Sequence, residues 1–249
     1  MRIISVVPSI TEALFDFGLT DHEVVGRTKF CIHPHDKVKN VPRIGGTKNL
    51  NIEKIKELQP DLIIANKEEN TKEQIEELQK DFKVWVTQIS TIEDNYYLNK
   101  QLGLLLDKVD LAQRFNLSIY ELFQRYKIEK KLKVAYLIWK NPYMSIGRDT
   151  FIHHILENMG FESITKTQTR YPEVDFEDLS QADLVFLSSE PYPFKEQDIN
   201  DLKKHLTKEM PILLVEGEAF SWYGTHLAKC HAYFQILKTQ LIESSFFIK

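Results

Sequence analysis

Two parallel-sheet α/β lobes joined by one long helix are what this sequence predicts, and three observations carry that expectation. Short apolar runs alternate with amphipathic stretches through residues 3–86, the pattern of a parallel sheet with helical crossovers. Residues 92–131 then break the pattern: no strand fits there, while Leu111, Phe115, Leu122 and Tyr126 recur at helical spacing with charges between them. Beyond that stretch the alternation restarts, and an octet recurs. Asp61-Leu62-Ile63-Ile64-Ala65-Asn66-Lys67-Glu68 in the first half is echoed by Asp183-Leu184-Val185-Phe186-Leu187-Ser188-Ser189-Glu190 in the second. Each octet follows a short helical stretch and closes on a glutamate. The expected division is an N-terminal lobe over 1–107, a connecting backbone helix over 108–131 and a C-terminal lobe over 132–249.

Residues 3–7 read as a buried strand. Ser9 is expected to cap the helix that follows, since Glu12 stands at capping-box spacing, and Gly18 to end it. Residues 24–26 make a short second strand. Residues 27–50, polar, with proline and the pair Gly45-Gly46, form a long loop of the kind that carries function. Apolar positions at 52, 55 and 58 predict a helix that Pro60 stops. A strand over 61–65, an amphipathic helix over 71–80 and a strand over 82–86 follow, and the long helix is expected over 110–131. In the second lobe, residues 132–138, 183–187 and 212–215 read as strands. A helix over 150–159 closes at Gly160, and another near 225–243 ends the chain.

Composition narrows the function classes. The chain has 249 residues, 43% hydrophobic and 27% charged, enough apolar material for a sizeable core. Nine glycines are too few for collagen-like or glycine-rich repeats. Thirty-two Lys+Arg against 36 Asp+Glu leave a net charge of -4, so no basic field is available to hold nucleic acid. No apolar run reaches the length of a membrane span, and the opening lacks the apolar region and cleavage site of a signal peptide. Such a chain is cytoplasmic if Met1 is the native start, or a mature form whose leader has been removed. Cys31 and Cys230 are too few and too far apart for a disulfide framework and are expected to be free thiols.

The common catalytic strings are missing: there is no G-x-G-x-x-G, G-x-x-x-x-G-K, G-x-S-x-G, H-E-x-x-H or C-x-x-C. Asn116-Leu117-Ser118 matches a glycosylation sequon but falls inside the expected long helix, and reads as a coincidence. Cys31-Ile32-His33-Pro34-His35 is the most chemical segment. Its thiol and imidazole can ligate a soft or borderline metal, or the cysteine can be packed and the histidine bonded to backbone. Gly45-Gly46-Thr47-Lys48-Asn49 either brings backbone N–H groups close to a ligand or is a plain turn. Glu68 and Glu190 lie just past the carboxyl ends of matched strands, where ligands and partners meet an α/β sheet. The aromatic loops around Trp139 and Trp222-Tyr223 also follow strands. Their rings can stack on a planar ligand or close the sheet edge.

The opening Ile3-Ile4-Ser5-Val6-Val7-Pro8-Ser9-Ile10-Thr11-Glu12, with Asn51-Ile52-Glu53-Lys54-Ile55 and then Leu58-Gln59-Pro60-Asp61-Leu62-Ile63-Ile64, resembles the helical-backbone (class III) substrate-binding proteins of ABC importers. These serve the uptake of cobalamin, ferric siderophores and haem, and the resemblance spans nearly the whole chain, looking most like the cobalamin branch. It implies a ligand cleft between two lobes, a corrinoid or ferric siderophore as cargo with no cofactor, and a monomer outside the inner membrane. The partners implied are a permease dimer with its ATPase. Carried over, the ligand candidates are Pro8, Ser9, Phe30, Cys31, His33, Gly46, Thr47 and Lys48, with Trp139, Tyr171, Trp222 and Tyr223 from the second half. Docking on the permease would fall to Glu190 and to Glu68 or the helix near Lys72 and Glu73, while Asn66 stands where the family often has tryptophan. The rivals are a chelatase-like cytoplasmic enzyme, working with His33 or His35 and Glu68 or Glu190, and a cytoplasmic corrinoid store. The expectation is a binding protein and not an enzyme.

Overall fold

The computed structural model describes residues 1–243, so residues 244–249 of the expected C-terminal lobe lie outside the described residues. The chain divides into two compact units. The first comprises residues 1–89, 93–117 and 222–228; the second comprises 90–92, 118–221 and 229 onward.

The first unit runs β1 (Ile3–Ser5), α1 (Pro8–Asp16), β2 (Val24–Arg27), α2 (His35–Val38), β3 (Gly45–Gly46), β4 (Asn49–Leu50) and α3 (Ile52–Leu58). It continues through β5 (Leu62–Asn66), α4 (Lys72–Leu78), β6 (Val84–Thr87), α5 (Ile92–Leu105) and the start of α6 (Val109–Tyr126). Its main sheet has the order β2-β1-β5-β6, parallel throughout. Ile3, Ile4, Ile63 and Ile64 are fully buried, as expected of inner strands covered on both faces. The expected loop over 27–50 contains α2 and a small antiparallel hairpin that pairs Gly45 with Leu50 and Gly46 with Asn49.

Two expectations of local structure give way here. Ser9 does not cap α1: the N-cap is Val7, and Pro8 takes the first helical position, where its missing N–H costs nothing and its fixed φ suits the helix. The Glu12 carboxylate meets His226 Nδ1 at 2.7 Å. The long helix also stops early, because the Ile128 N–H leaves the helical ladder and donates to the Met159 carbonyl at 2.8 Å. That crossing requires Gly160, which has φ +88° and whose added Cβ would stand 2.2 Å from the Ile128 oxygen. Residues 92–131 are accordingly two helices, α5 and α6, and α6 belongs to the first unit as far as Leu117.

The second unit continues α6 and adds β7 (Leu132–Leu137), α7 (Phe151–Asn158), β8 (Phe161–Ser163), α8 (Phe176–Leu179) and β9 (Leu184–Ser188). α9 (Glu196–Lys203), β10 (Ile212–Val215), α10 (Glu218–Ser221) and α11 (His231–Glu243) complete it, and a 3-10 turn at His226–Lys229 precedes α11. Its sheet has the order β10-β9-β7-β8, again parallel throughout. Ala135, Leu137, Leu179, Val185, Leu187 and Leu202 form part of its core.

In order of appearance both sheets read second, first, third, fourth, and the octets are the two third strands with their following loops. The aspartate of each octet plays one part. Asp61 accepts the Arg2 N–H on its carboxylate at 2.6 Å and returns its own N–H to the Arg2 carbonyl at 2.8 Å. Asp183 does the same to Lys133, at 2.8 Å in both directions. Each clamp fixes the register between the first and third strands of its sheet. Asp61→Ala and Asp183→Ala are expected to cost about 1 kcal/mol each, the size of one exposed hydrogen bond to a charged group. Urea unfolding checks this, and unequal losses would show that the two clamps differ in role.

Candidate functional site

In a parallel sheet the carboxyl ends of the strands share one edge, and the loops there are the ones free to meet a ligand. In the first unit these are the turn after β1, the loop after β2 and the loop after β5. Arg27, at the end of β2, is buried. Its guanidinium donates to the carbonyls of Val38 at 2.7 Å, Cys31 at 3.0 Å and Thr28 at 3.2 Å. One side chain thereby pins the backbone of the loop that carries Phe30 and His33. Burial pulls the guanidinium below its ordinary pKa. Cys31 is fully buried, with Thr11 Oγ1 donating to its sulfur at 3.0 Å and a second hydrogen bond joining the sulfur to Thr28 Oγ1 at 3.2 Å. Burial pushes its thiol up, away from the thiolate that a metal would need. Of the two readings of the Cys31–His35 segment, the cysteine takes the packed one. Among the described residues no group of three or more His, Cys, Asp or Glu is placed to hold a metal ion.

The loop after β5 is organised by two asparagines that sequence reasoning missed. Asn70 Nδ2 donates to the carbonyls of Val6 at 3.1 Å and Thr47 at 3.0 Å, while its Oδ1 accepts the Asn66 N–H at 2.8 Å. Asn66 Oδ1 in turn accepts the Glu68 N–H at 2.8 Å, and its Nδ2 donates to Thr87 Oγ1 at 3.1 Å. A buried network of this kind, fully paired, rigidifies what it connects: here the turn before Pro8, the hairpin tip at Thr47, and the Glu68 loop. The Lys48 ammonium donates to the Glu68 carbonyl, and Thr71 Oγ1 donates to the Lys48 carbonyl at 3.0 Å. Gly46 lies where an added Cβ would sit 3.4 Å from both Lys29 Cε and the Phe30 ring. Phe30, Gly46, Thr47 and Lys48 thus belong to interlocked loops beside the turn that leads into Pro8, and Phe30 is 50% exposed among them. Ser9 is buried inside the first turn of α1, and His35 is exposed at the start of α2.

Residues 222–228 also belong to the first unit. The Trp222 ring meets the His33 ring at 5.4 Å, edge to face, and the His226 ring at 5.3 Å. Trp222 and Tyr223, expected to offer open faces to a planar ligand, are 8% and 6% exposed. Their backbone is drawn inward: Gly224 N–H donates to Asn95 Oδ1, and the Gly224 carbonyl accepts from Asn95 Nδ2 at 3.2 Å and Asn99 Nδ2 at 3.1 Å. Asn116, the sequon residue, is occupied in the same cluster, accepting from Asn99 at 2.9 Å and donating to the Tyr96 carbonyl at 3.0 Å.

In the second unit, bridges between Trp139 and Met144 and between Met144 and Glu173 gather the loop after β7 with the segment carrying Tyr171. Trp139 and Tyr171 are 42% and 40% exposed. Trp139 packs its edge on Tyr192 at 5.9 Å, and the Arg170 guanidinium sits 5.5 Å over the Tyr171 ring. Lys140 anchors the Trp139 turn to α9 through Asp198 at 2.6 Å, and that hydrogen bond raises the ammonium pKa.

The two octet glutamates keep matched backbone settings with unlike side chains. Asn66 Oδ1 accepts the Glu68 N–H and Ser188 Oγ accepts the Glu190 N–H at 3.3 Å, while the residues between them, Lys67 and Ser189, donate to Thr87 and Val215 at 3.0 Å. Glu68 is exposed, as is Glu73 in the first turn of α4. Glu190 is half-buried, and its Oε1 accepts the Ser221 hydroxyl at 2.6 Å.

A family model described as periplasmic binding protein matches residues 3–210. Among curated relatives, a vitamin B12-binding protein of Vibrio campbellii is 25% identical over 195 residues, 75% of this chain and 70% of that one. Among solved structures, the periplasmic vitamin B12 binding protein of Vibrio cholerae superposes with a TM-score of 0.80 at 19% identity, covering 98% of each chain. A periplasmic heme binding protein from Pseudomonas aeruginosa gives 0.79 at 18% identity, covering 95% of this chain and 91% of that one. At these identities the superpositions show a shared fold.

Proposed function

The chain belongs to the periplasmic binding protein family, and on that premise we propose that it captures a metal-chelate macrocycle, a corrinoid foremost, outside the inner membrane and delivers it to the permease dimer and ATPase of an ABC importer. The observation that carries the corrinoid is the likeness, over three quarters of the chain, to a protein named for binding vitamin B12. The exposed aromatics at the strand ends support it: in the first unit Phe30, and in the second unit Trp139 and Tyr171, are flat apolar rings of the kind that pack on a macrocycle. Lys48 and the hairpin backbone at Gly46-Thr47 supply polar contacts beside Phe30. His33, Trp222 and Tyr223 act behind that surface as support. Glu190, with Glu68 or Glu73, is the docking pair for cationic side chains of the permease. The chelatase reading gives way to membership of a family of binding proteins.

Calorimetry with cyanocobalamin and cobinamide is expected to show binding at about 1 µM or tighter, some 8 kcal/mol. No heat and no thermal shift at saturating corrinoid would overturn the corrinoid. Parallel titrations with haemin and a ferric siderophore would then show whether the class of cargo stands.

A further inference from the structure

We infer that Glu190 is a latch: the carboxylate offered to the membrane partner also holds the segment that backs the ligand loop, so that engaging it loosens the ligand. The inference rests on the proposed docking role of Glu190 and adds how docking is coupled to release.

The loop after β9 and the residues after β10 are tied together closely. Gly217 N–H donates to Ser189 Oγ at 2.9 Å. The Gly217 backbone also lies so near Glu190 that an added Cβ would stand 2.3 Å from its Cγ. Ser221 closes the short α10 turn by donating its N–H to the Gly217 carbonyl at 2.9 Å, and its hydroxyl donates to Glu190 Oε1 at 2.6 Å. A bond this short to an ionised carboxylate is of the strong, charge-assisted kind. The chain passes from the second unit to the first between Ser221 and Trp222. Trp222, the next residue, is the one whose ring supports His33.

Past Trp222 the segment is fixed. Asn95 and Asn99, both fully buried, hold Gly224, Thr225 donates to Asp16, and His226 meets Glu12. The tie at Ser221 differs in kind, because its acceptor is half-buried and belongs to a loop at the strand ends. A guanidinium that takes the Glu190 carboxylate in a bidentate pair competes for the lone pairs that hold Ser221.

The test measures displacement of bound cyanocobalamin, or of haemin if that is the probe that binds, from the full chain by stopped flow. Ser221→Ala and Glu190→Ala are each expected to speed release by about tenfold, the size of one hydrogen bond to a charged group, and the double variant by no more than either alone. Ser221→Thr, which keeps the hydroxyl, should release at nearly the wild-type rate, and Glu190→Gln, which keeps an acceptor without its charge, at a rate between the wild type and Glu190→Ala. Unchanged release from Ser221→Ala, or equal acceleration by Ser221→Thr, would overturn the latch while leaving the binding function intact. Failure of the wild-type chain to bind either probe would overturn both.

Discussion

Trp222→Ala is expected to destabilise the protein by about 3–5 kcal/mol, the range for removing a buried tryptophan, with ligand affinity falling as a consequence. The side chain is almost fully covered, and its ring touches His33 on one side and His226 on the other. Its loss leaves a cavity beneath the loop that Arg27 pins, so the position of His33 goes with it. Urea unfolding measures the first effect and calorimetry of the folded fraction the second. A variant that keeps its stability and loses affinity alone would restore Trp222 to the ligand surface, where stacking arguments from sequence had put it.

Trp139→Ala should behave in the opposite way. Its ring is exposed and packs its edge on Tyr192, so truncation is expected to change stability by less than about 1 kcal/mol. As an aromatic anchor for a macrocycle it is expected to contribute about 2 kcal/mol, roughly a thirtyfold loss of affinity. Comparing corrinoid titrations of the wild type and Trp139→Ala checks this. Unchanged affinity would remove the loop after β7 from the proposed site.

What was legible in the sequence was what neighbouring residues decide. The helix Ile52–Leu58 and the strand Ile212–Val215 lie where pattern and proline put them, and the octet reports two third strands whose aspartates clamp the same neighbour. β8 was not legible, because three residues show no period, and neither were the short α8 and the charged α9. The capping-box signal at Ser9 failed because Pro8 claims the helix start. The overshoot past Tyr126 has a distant cause, the Met159 carbonyl.

The site divides in the same manner. Gly46-Thr47-Lys48 and Trp139 sit in loops of the kind that carry function, so position along the chain was enough to make them candidates, while Phe30 and Tyr171 became candidates through the family resemblance. Asn66, Asn70, Arg27 and Asn95 act through buried bonds whose partners no local pattern reveals; Asn95 and Gly224 are 129 residues apart. An asparagine ending an apolar strand, as Asn66 does, is the one signal from which such a network could have been found. The burial of Trp222 follows from those distant bonds and was invisible for the same reason.

The first unit is assembled from three stretches of chain, and residues 118–221, nearly the whole of the second unit, are synthesised before the last of them. A growing polypeptide leaving the ribosome therefore completes the strands of both sheets while Asn95 and Asn99 still lack the Gly224 peptide they enclose in the finished protein. Buried amides without partners are costly, so the nascent first unit stays locally open until Trp222–Ala228 emerges. Closure of the loop that carries His33 against Trp222 is thereby expected to be a late event of biosynthesis. A chain terminated prematurely at Ser221 would keep all its strands and still present an unsealed surface to proteolytic surveillance.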